Sequence, residues 1–209
     1  MLGNILKKIL YLLALSLAIA FAFNQQGYAQ EKEDVIELLH ADSSYWNLEE
    51  DNVIISLFGD VQFKHGNVYL SSDRAIWYKT AEQIVFLGRV EIADEDISLS
   101  SLRLTYYQRR KKIVAEQNVR LWSKEEQVLI TGQRGEYQRE KKYALFTQSP
   151  QLEIYPEKPE STIVVTADTL EYFADQEKGF AKEKVHIKKG DMDAFCGLAE
   201  LSRGDSLHT

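Results

Sequence analysis

Cysteine is nearly absent from this 209-residue chain: Cys196 stands alone, and only three residues are proline. A single thiol closes no internal disulfide, so the fold must rest on an apolar core and a backbone ladder. The four histidines, His40, His65, His186 and His208, are scattered without ligand spacing. The turns Asp94-Glu95-Asp96 and Asp191-Met192-Asp193 could hold a cation loosely, but they read better as solvated acidic turns, and no metal is expected. No G-x-S-x-G, G-x-x-x-x-G-K or H-E-x-x-H occurs, so the sequence offers no catalytic residue, no cofactor site and no enzyme reading. Basic charge is short as well, with 25 Lys and Arg against 32 Asp and Glu. A net-acidic surface leaves no stripe to neutralise phosphates, which excludes nucleic acid as a partner.

Long apolar runs are missing everywhere except at the start. Residues 1–29 begin with Lys7-Lys8, continue through an apolar run from Ile9 to Phe23 broken only by Ser16, and end in Gly27-Tyr28-Ala29. That is the layout of a secretory signal peptide with small residues at −3 and −1. The run is shorter than the ~20 residues that span a bilayer, so export with cleavage is expected ahead of an uncleaved inner-membrane anchor. No cysteine stands at the cleavage site for a lipid anchor. Residues 30–209 are long enough for one domain with a real core.

The exported part repeats itself. SSDRAIWY from Ser71 returns as SSLRLTYY from Ser100, and shorter forms occur as HADSSYW (His40), TGQRGEY (Thr131), TADTLEY (Thr166) and FCGLAEL (Phe195). Their starts are 31, 29, 31, 35 and 29 residues apart. A second phrase runs between them: GDVQF, GRVEI, QNVRL, SPQLEI and EKVHI, with Val61, Val90, Val119, Leu152 and Val185 as the shared apolar position. Its steps are 29, 29, 33 and 33 residues. Two registers with matching steps identify a repeat protein.

Both phrases have strand character: β-branched and aromatic residues alternate with polar ones. Short polar segments such as Lys64–Asn67, Ala93–Asp96, Ser123–Gln127 and Lys188–Asp191 have hairpin length. No helical periodicity follows the leader. Within the first phrase the apolar parity changes: Leu70 and Ser72 share one face, Ala75 and Trp77 the other. One extra residue in mid-strand is required for that switch, so each repeat should bend. Six rungs at about 4.8 Å each would give a stack about 29 Å long. Small residues Ser72, Ser101, Gly132, Ala167 and Cys196 form one column, and Cys196 is read as a packed small hydrophobe.

This pattern, G-x-V-x-[FI] followed by [ST]-[SAG]-x-x-x-x-[YW] every ~30 residues behind a signal peptide, resembles the organic-solvent-tolerance A (OstA) family, whose periplasmic form is the lipopolysaccharide-transport A (LptA) type. The resemblance covers the chain from about Val35 onward. It implies an all-β fold, the OstA-type β-jellyroll or β-taco: a folded antiparallel repeat sheet with an apolar groove. It further implies a periplasmic carrier that shields lipopolysaccharide acyl chains and takes part in outer-membrane assembly. Like-fold transport proteins at the inner and outer membranes, and head-to-tail self-association, are the implied partners. Leu70, Leu99, Ile130, Val165, Trp77, Tyr106, Tyr137 and Tyr172 are the expected lining, because their columns stay apolar in at least four repeats. Arg74, Arg103 and Arg134 form a further column that could meet glycolipid phosphates or be a ladder balanced by Asp73 and Glu136. The alternative to a carrier is a structural β-repeat scaffold of the envelope whose interior is filled by its own side chains.

Overall fold

The structure is a computed structural model describing residues 36–49, 52–65, 68–93, 95, 97–124, 127–155, 162–176 and 178–202. The expected leader (1–29) and the turn carrying Pro156 and Pro159 lie outside the described residues. Among the described residues, fourteen strands form one antiparallel sheet. They are β1 (Glu37–His40), β2 (Ser43–Glu49), β3 (Asn52–His65), β4 (Val68–Tyr78), β5 (Gln83–Ala93), β6 (Ile97–Tyr107), β7 (Lys112–Ser123), β8 (Val128–Gln138), β9 (Tyr143–Thr147), β10 (Gln151–Ile154), β11 (Ile163–Thr166), β12 (Thr169–Phe173), β13 (Lys178–Lys189) and β14 (Met192–Ser202). Strands β3 to β8 pair in sequence order. Where strands are shorter, two share one rung: β1 with β2 against β3, β9 with β10 against β8, and β11 with β12 against β13.

Every rung bends at mid-length, and the two strand types bend differently. In β4, β6 and β8 the inward set steps by three residues, from Ser72 to Ala75, Ser101 to Leu104 and Gly132 to Gly135, all buried. This is the parity switch expected from the sequence. In the partner strands two successive residues take left-handed φ: Gly59-Asp60, Gly88-Arg89, Gln117-Asn118, Gln148-Ser149 and Glu183-Lys184. Two residues there face one on the neighbour, a bulge repeated along the sheet. The pairs line up into one fold line that bends the sheet over its apolar face.

Polar groups at the corner remain satisfied. The backbone N–H groups of Asp42, Gln133 and Asp168 donate to the carbonyls of Gly59 (3.0 Å), Gln148 (3.1 Å) and Glu183 (2.9 Å), the first residue of each left-handed pair. Ser72 Oγ donates to the Arg74 carbonyl and Ser101 Oγ to the Arg103 carbonyl, each at 3.0 Å. The twice-written Ser-Ser-x-Arg is therefore a corner: the second serine is buried and ties the chain across the bend. The small column pairs with a buried valine column, Ser72 with Val61, Ser101 with Val90, Gly132 with Val119 and Cys196 with Val185.

Three expectations are corrected. The fourth repeat holds Pro150, not Leu152, at the valine position: Pro150 follows the left-handed pair and packs on Gly132, whereas Leu152 pairs with Ile130 as Leu121 does. The substitution of Ser-Pro for Asn-Val hid the register, and Pro150, lacking an N–H, is where this rung breaks into β9 and β10. Secondly, each repeat supplies two rungs, not one. The eleven rungs of the described residues span about 48 Å at about 4.8 Å per step. Thirdly, Cys196 keeps its inward column yet is exposed, because β14 pairs only with β13 among the described residues.

The corner generates a prediction. Gly88 has φ +69°, and a Cβ there would collide with the Asp73 carboxylate. Gly88→Val should lose about 2 kcal/mol or more from backbone strain and displacement of that carboxylate. In a chain of this size that is about 4–8 °C in thermal midpoint. An unchanged midpoint by circular dichroism would mean the corner is soft.

Candidate functional site

Folding the sheet brings the inward side chains of both arms together into one apolar interior. Its walls are buried residues such as Phe63, Phe86, Leu104, Val119, Phe146 and Leu170. The space between them is uneven. A cavity of about 100 Å³ lies between Phe63, Val68, Leu70, Phe86, Ile92, Leu104, Tyr106, Ile113 and Tyr137, with Ile36, Lys64, His65 and Lys111 at its rim. A second, about 50 Å³, continues past Ile92, Leu99, Ile113, Leu121, Tyr137 and Phe146. A third, about 10 Å³, is closed in by Ile130, Phe146, Leu152, Leu170, Tyr172 and Phe180. Neighbouring cavities share residues, Tyr137 between the first two and Phe146 between the last two. The interior is a single tapering space, roomy under β3–β7 and shut under β9–β12.

The expected lining divides along this taper. Leu70, Tyr106 and Tyr137 border the first cavity and Leu99 the second. Ile130 and Tyr172 border the smallest, where they are 3 % and 0 % exposed. Val165, 2 % exposed, is packed and borders none of these cavities. Trp77 also borders none; it is half-buried and meets Phe63 edge-on at 6.4 Å between ring centroids. Missed as lining residues were Phe63, Phe86, Ile92, Ile113 and Phe146, which come from the alternate strands. The signal was present, since Phe63 and Ile92 end the GDVQF and GRVEI phrases.

A sequence model of the OstA-like protein family matches residues 33–195. The chain belongs to the OstA-like family. Among curated protein sequences none matches. Among solved structures this OstA-like chain is similar to LptH of Pseudomonas aeruginosa, described as the LptA-homologous periplasmic component of the lipopolysaccharide transport device. The two are 16 % identical, the match covers 61 % of this chain and 100 % of LptH, and the TM-score is 0.51. The shared feature is the fold: the folded antiparallel jellyroll expected of the family. No helix among the described residues is long and apolar enough to cross a membrane, which says nothing of β-barrels.

The arginine column of the OstA-like chain stands outside the interior. Arg103 lies 3.5 Å from Glu116, and Arg134 holds both Glu116 and, at 2.6 Å, Glu136. Lys112 closes the chain of alternating charge on Glu136 at 2.5 Å. Arg74 instead lies over the Phe58 ring, 5.2 Å from its centroid. None of the three borders the tapering space, and Arg103 and Arg134 form a charge ladder with Glu116 and Glu136. His40 lies 3.2 Å from Asp42 and 4.0 Å from Asp60, and His186 lies 2.6 Å from Asp193. No cluster of three metal-ligating side chains occurs among the described residues.

Burial alone would raise the Glu136 carboxyl, but hydrogen bonds from Lys112 and Arg134, with their charges, outweigh it and hold the group below its ordinary value. A depressed carboxylate contributes stability above its unfolded pKa, about 4.3, and loses it as pH falls through the folded value. Glu136→Gln should therefore lower the thermal midpoint at pH 7, with the difference from wild type shrinking below about pH 4. A gap constant between pH 7 and pH 3 would remove Glu136 as the titrating partner.

Proposed function

We propose that the protein is a periplasmic lipid carrier that binds lipopolysaccharide acyl chains in its apolar interior and bridges inner to outer membrane during outer-membrane assembly. The single observation that carries this reading is the tapering apolar space beneath columns repeated along the sheet. An acyl chain is apolar along its whole length and suits such a lining. Sheltering it contributes about 0.8 kcal/mol per methylene. Membership of the OstA-like family and the fold shared with LptH support the same reading.

The second reading, a scaffold of the envelope with a filled interior, draws on a specific fact: Ile130, Val165 and Tyr172 are packed shut. Photo-crosslinking in cells separates the two. A photoreactive residue at Tyr106 or Tyr137 should capture lipopolysaccharide, and one at Tyr69, 53 % exposed, should not. Equal capture from all three positions, or capture from none, would leave the interior as plain core.

Partners follow from the two ends. Strands β1 and β2 pair only with β3, and β14 only with β13, among the described residues. Each outer strand offers backbone groups to an added strand. Apolar side chains are exposed there: Trp46 61 % and Leu48 76 % at one end, Phe195 76 % and Leu198 58 % at the other. On this reading, copies of the chain and like-fold transport proteins at either membrane join head to tail. Light scattering should show mass rising with concentration, and Leu198→Pro with Leu201→Pro should suppress the rise. A monomer at all concentrations, or growth indifferent to the prolines, would exclude this route.

A further inference from the structure

The outward face of the sheet breaks its own repeat at one place, beside the turn between β7 and β8. Leu121 and Ile130 face the interior, so Arg120, Trp122 and Leu129 face outward. Across the strands the outward column of Trp122 reads Lys64, Ala93, Trp122, Glu153 and Lys188 in successive repeats. The column beside it reads Gln62, Glu91, Arg120, Gln151 and His186. Trp122 stands among polar and small residues, and Arg120 is the one arginine of its column. A residue type that recurs in a column answers to the fold, whereas a departure in one copy needs a separate cause.

The departure coincides with a cleft. It has a volume of about 420 Å³, within the range of small-molecule sites, and is lined by Ser98, Arg120, Trp122, Gln127 and Tyr155. The rings of Trp122 and Tyr155 meet edge-on, 6.0 Å between centroids. Leu129, paired across the sheet with Trp122 and Glu153, is buried although it belongs to the outward face. Tyr155 is fixed from behind: its O–H donates to Glu153, which also accepts from Gln151 Nε2 at 2.7 Å. Its backbone N–H donates to the Gln127 carbonyl at 2.8 Å, and Gln127 Nε2 donates to the Lys124 carbonyl at 2.7 Å. The remaining groups are unspent. Among the described residues Arg120 forms no ion pair, and neither Ser98 Oγ nor Trp122 Nε1 forms a hydrogen bond.

Two held rings beside unspent donors suit one ligand chemistry. A pyranose ring carries C–H groups on its faces, which pack on an aromatic ring, and hydroxyls around its edge, which accept from guanidinium and indole N–H groups. An apolar chain would leave the donors without partners, and a bare anion would leave the rings unused. We infer that this cleft binds a saccharide, one or two pyranose units of a glycan, on the outside of the sheet. The inference stands apart from the carrier reading, because the cleft and the tapering interior lie on opposite faces of the same strands. Two sources share the chemistry: the sugar of a glycolipid, and a glycan attached to no lipid.

Saturation-transfer NMR titrations of the protein purified from cells test this with two probes, chitotetraose and the saccharide released from lipopolysaccharide by mild acid. At least one should bind with a Kd of about 1 mM or tighter. Trp122→Ala and, separately, Arg120→Gln should each weaken that binding at least about fivefold. Trp122 shields Leu129, so its loss can also lower stability; Arg120 has no partner to lose, and Arg120→Gln should keep the wild-type thermal midpoint. Tyr69→Ala, an outward aromatic that does not line the cleft, should leave binding unchanged. Binding of the lipopolysaccharide saccharide names the glycolipid as the source, and binding of chitotetraose alone names a separate glycan; either supports the inference. Neither probe bound at about 10 mM, or binding undiminished in both cleft variants, overturns it. So does a photoreactive residue at Trp122 that captures a protein and no glycan, which would make the cleft a protein contact.

Discussion

Everything in this molecule depends on bending a continuous hydrogen-bonded sheet along a line without leaving buried backbone groups unpaired. A strand cannot turn sharply and keep alternating sides, and an L-residue enters left-handed φ at a cost of about 1–2 kcal/mol. The chain accepts that cost twice on every second rung and relieves it locally. Glycine takes the position where Asp42 or Asp73 packs closest, and asparagine or aspartate appears among the second residues. Buried serines and cross-corner N–H donors supply the bonds that the bulge would otherwise remove. Once the line exists, the two arms face each other and an interior follows.

The character of that interior is then a matter of side-chain volume against a fixed separation of the arms. Under β3–β7 the facing residues leave gaps; under β9–β12, Phe146, Leu152, Leu170 and Tyr172 fill them. The breaks in rungs β9/β10 and β11/β12 fall in the filled half. There the ladder is interrupted at Pro150 and Asp168, and side-chain packing takes a larger share in holding the arms together.

The columns were legible in the sequence because a repeat writes each structural position several times, and degenerate copies correct one another. The parity step at Ser72–Ala75 was visible for the same reason. Pro150 was misaligned because its repeat replaces the diagnostic residues on both sides. The left-handed pairs were legible only in part: Gly59-Asp60 signals a bulge and Asn118 tolerates left-handed φ, but Glu183-Lys184 carries no such mark. The taper escaped as well. Ile130 and Leu70 look equivalent in a column, yet the space beside each is set by residues on neighbouring strands and opposite arms. The exposure of Cys196 depends on what stands beyond β14, which its own column does not record.

The alternation of strands has one further consequence. Rung direction reverses at each step, and the eleven described rungs begin and end on strands of the same sense, β1/β2 and β14. The stack therefore has a vector, as an arrow does. A copy added in the same orientation would meet its neighbour through two strands running parallel, with the evenly spaced, slanted bonds of that pairing and a slightly weaker hold per residue. Two copies meeting through like ends would form the stronger antiparallel junction, but would reverse the groove's direction. Polarity along such a filament is thus a question of which seam forms, and a weak seam between strong sheets is the place where it would open.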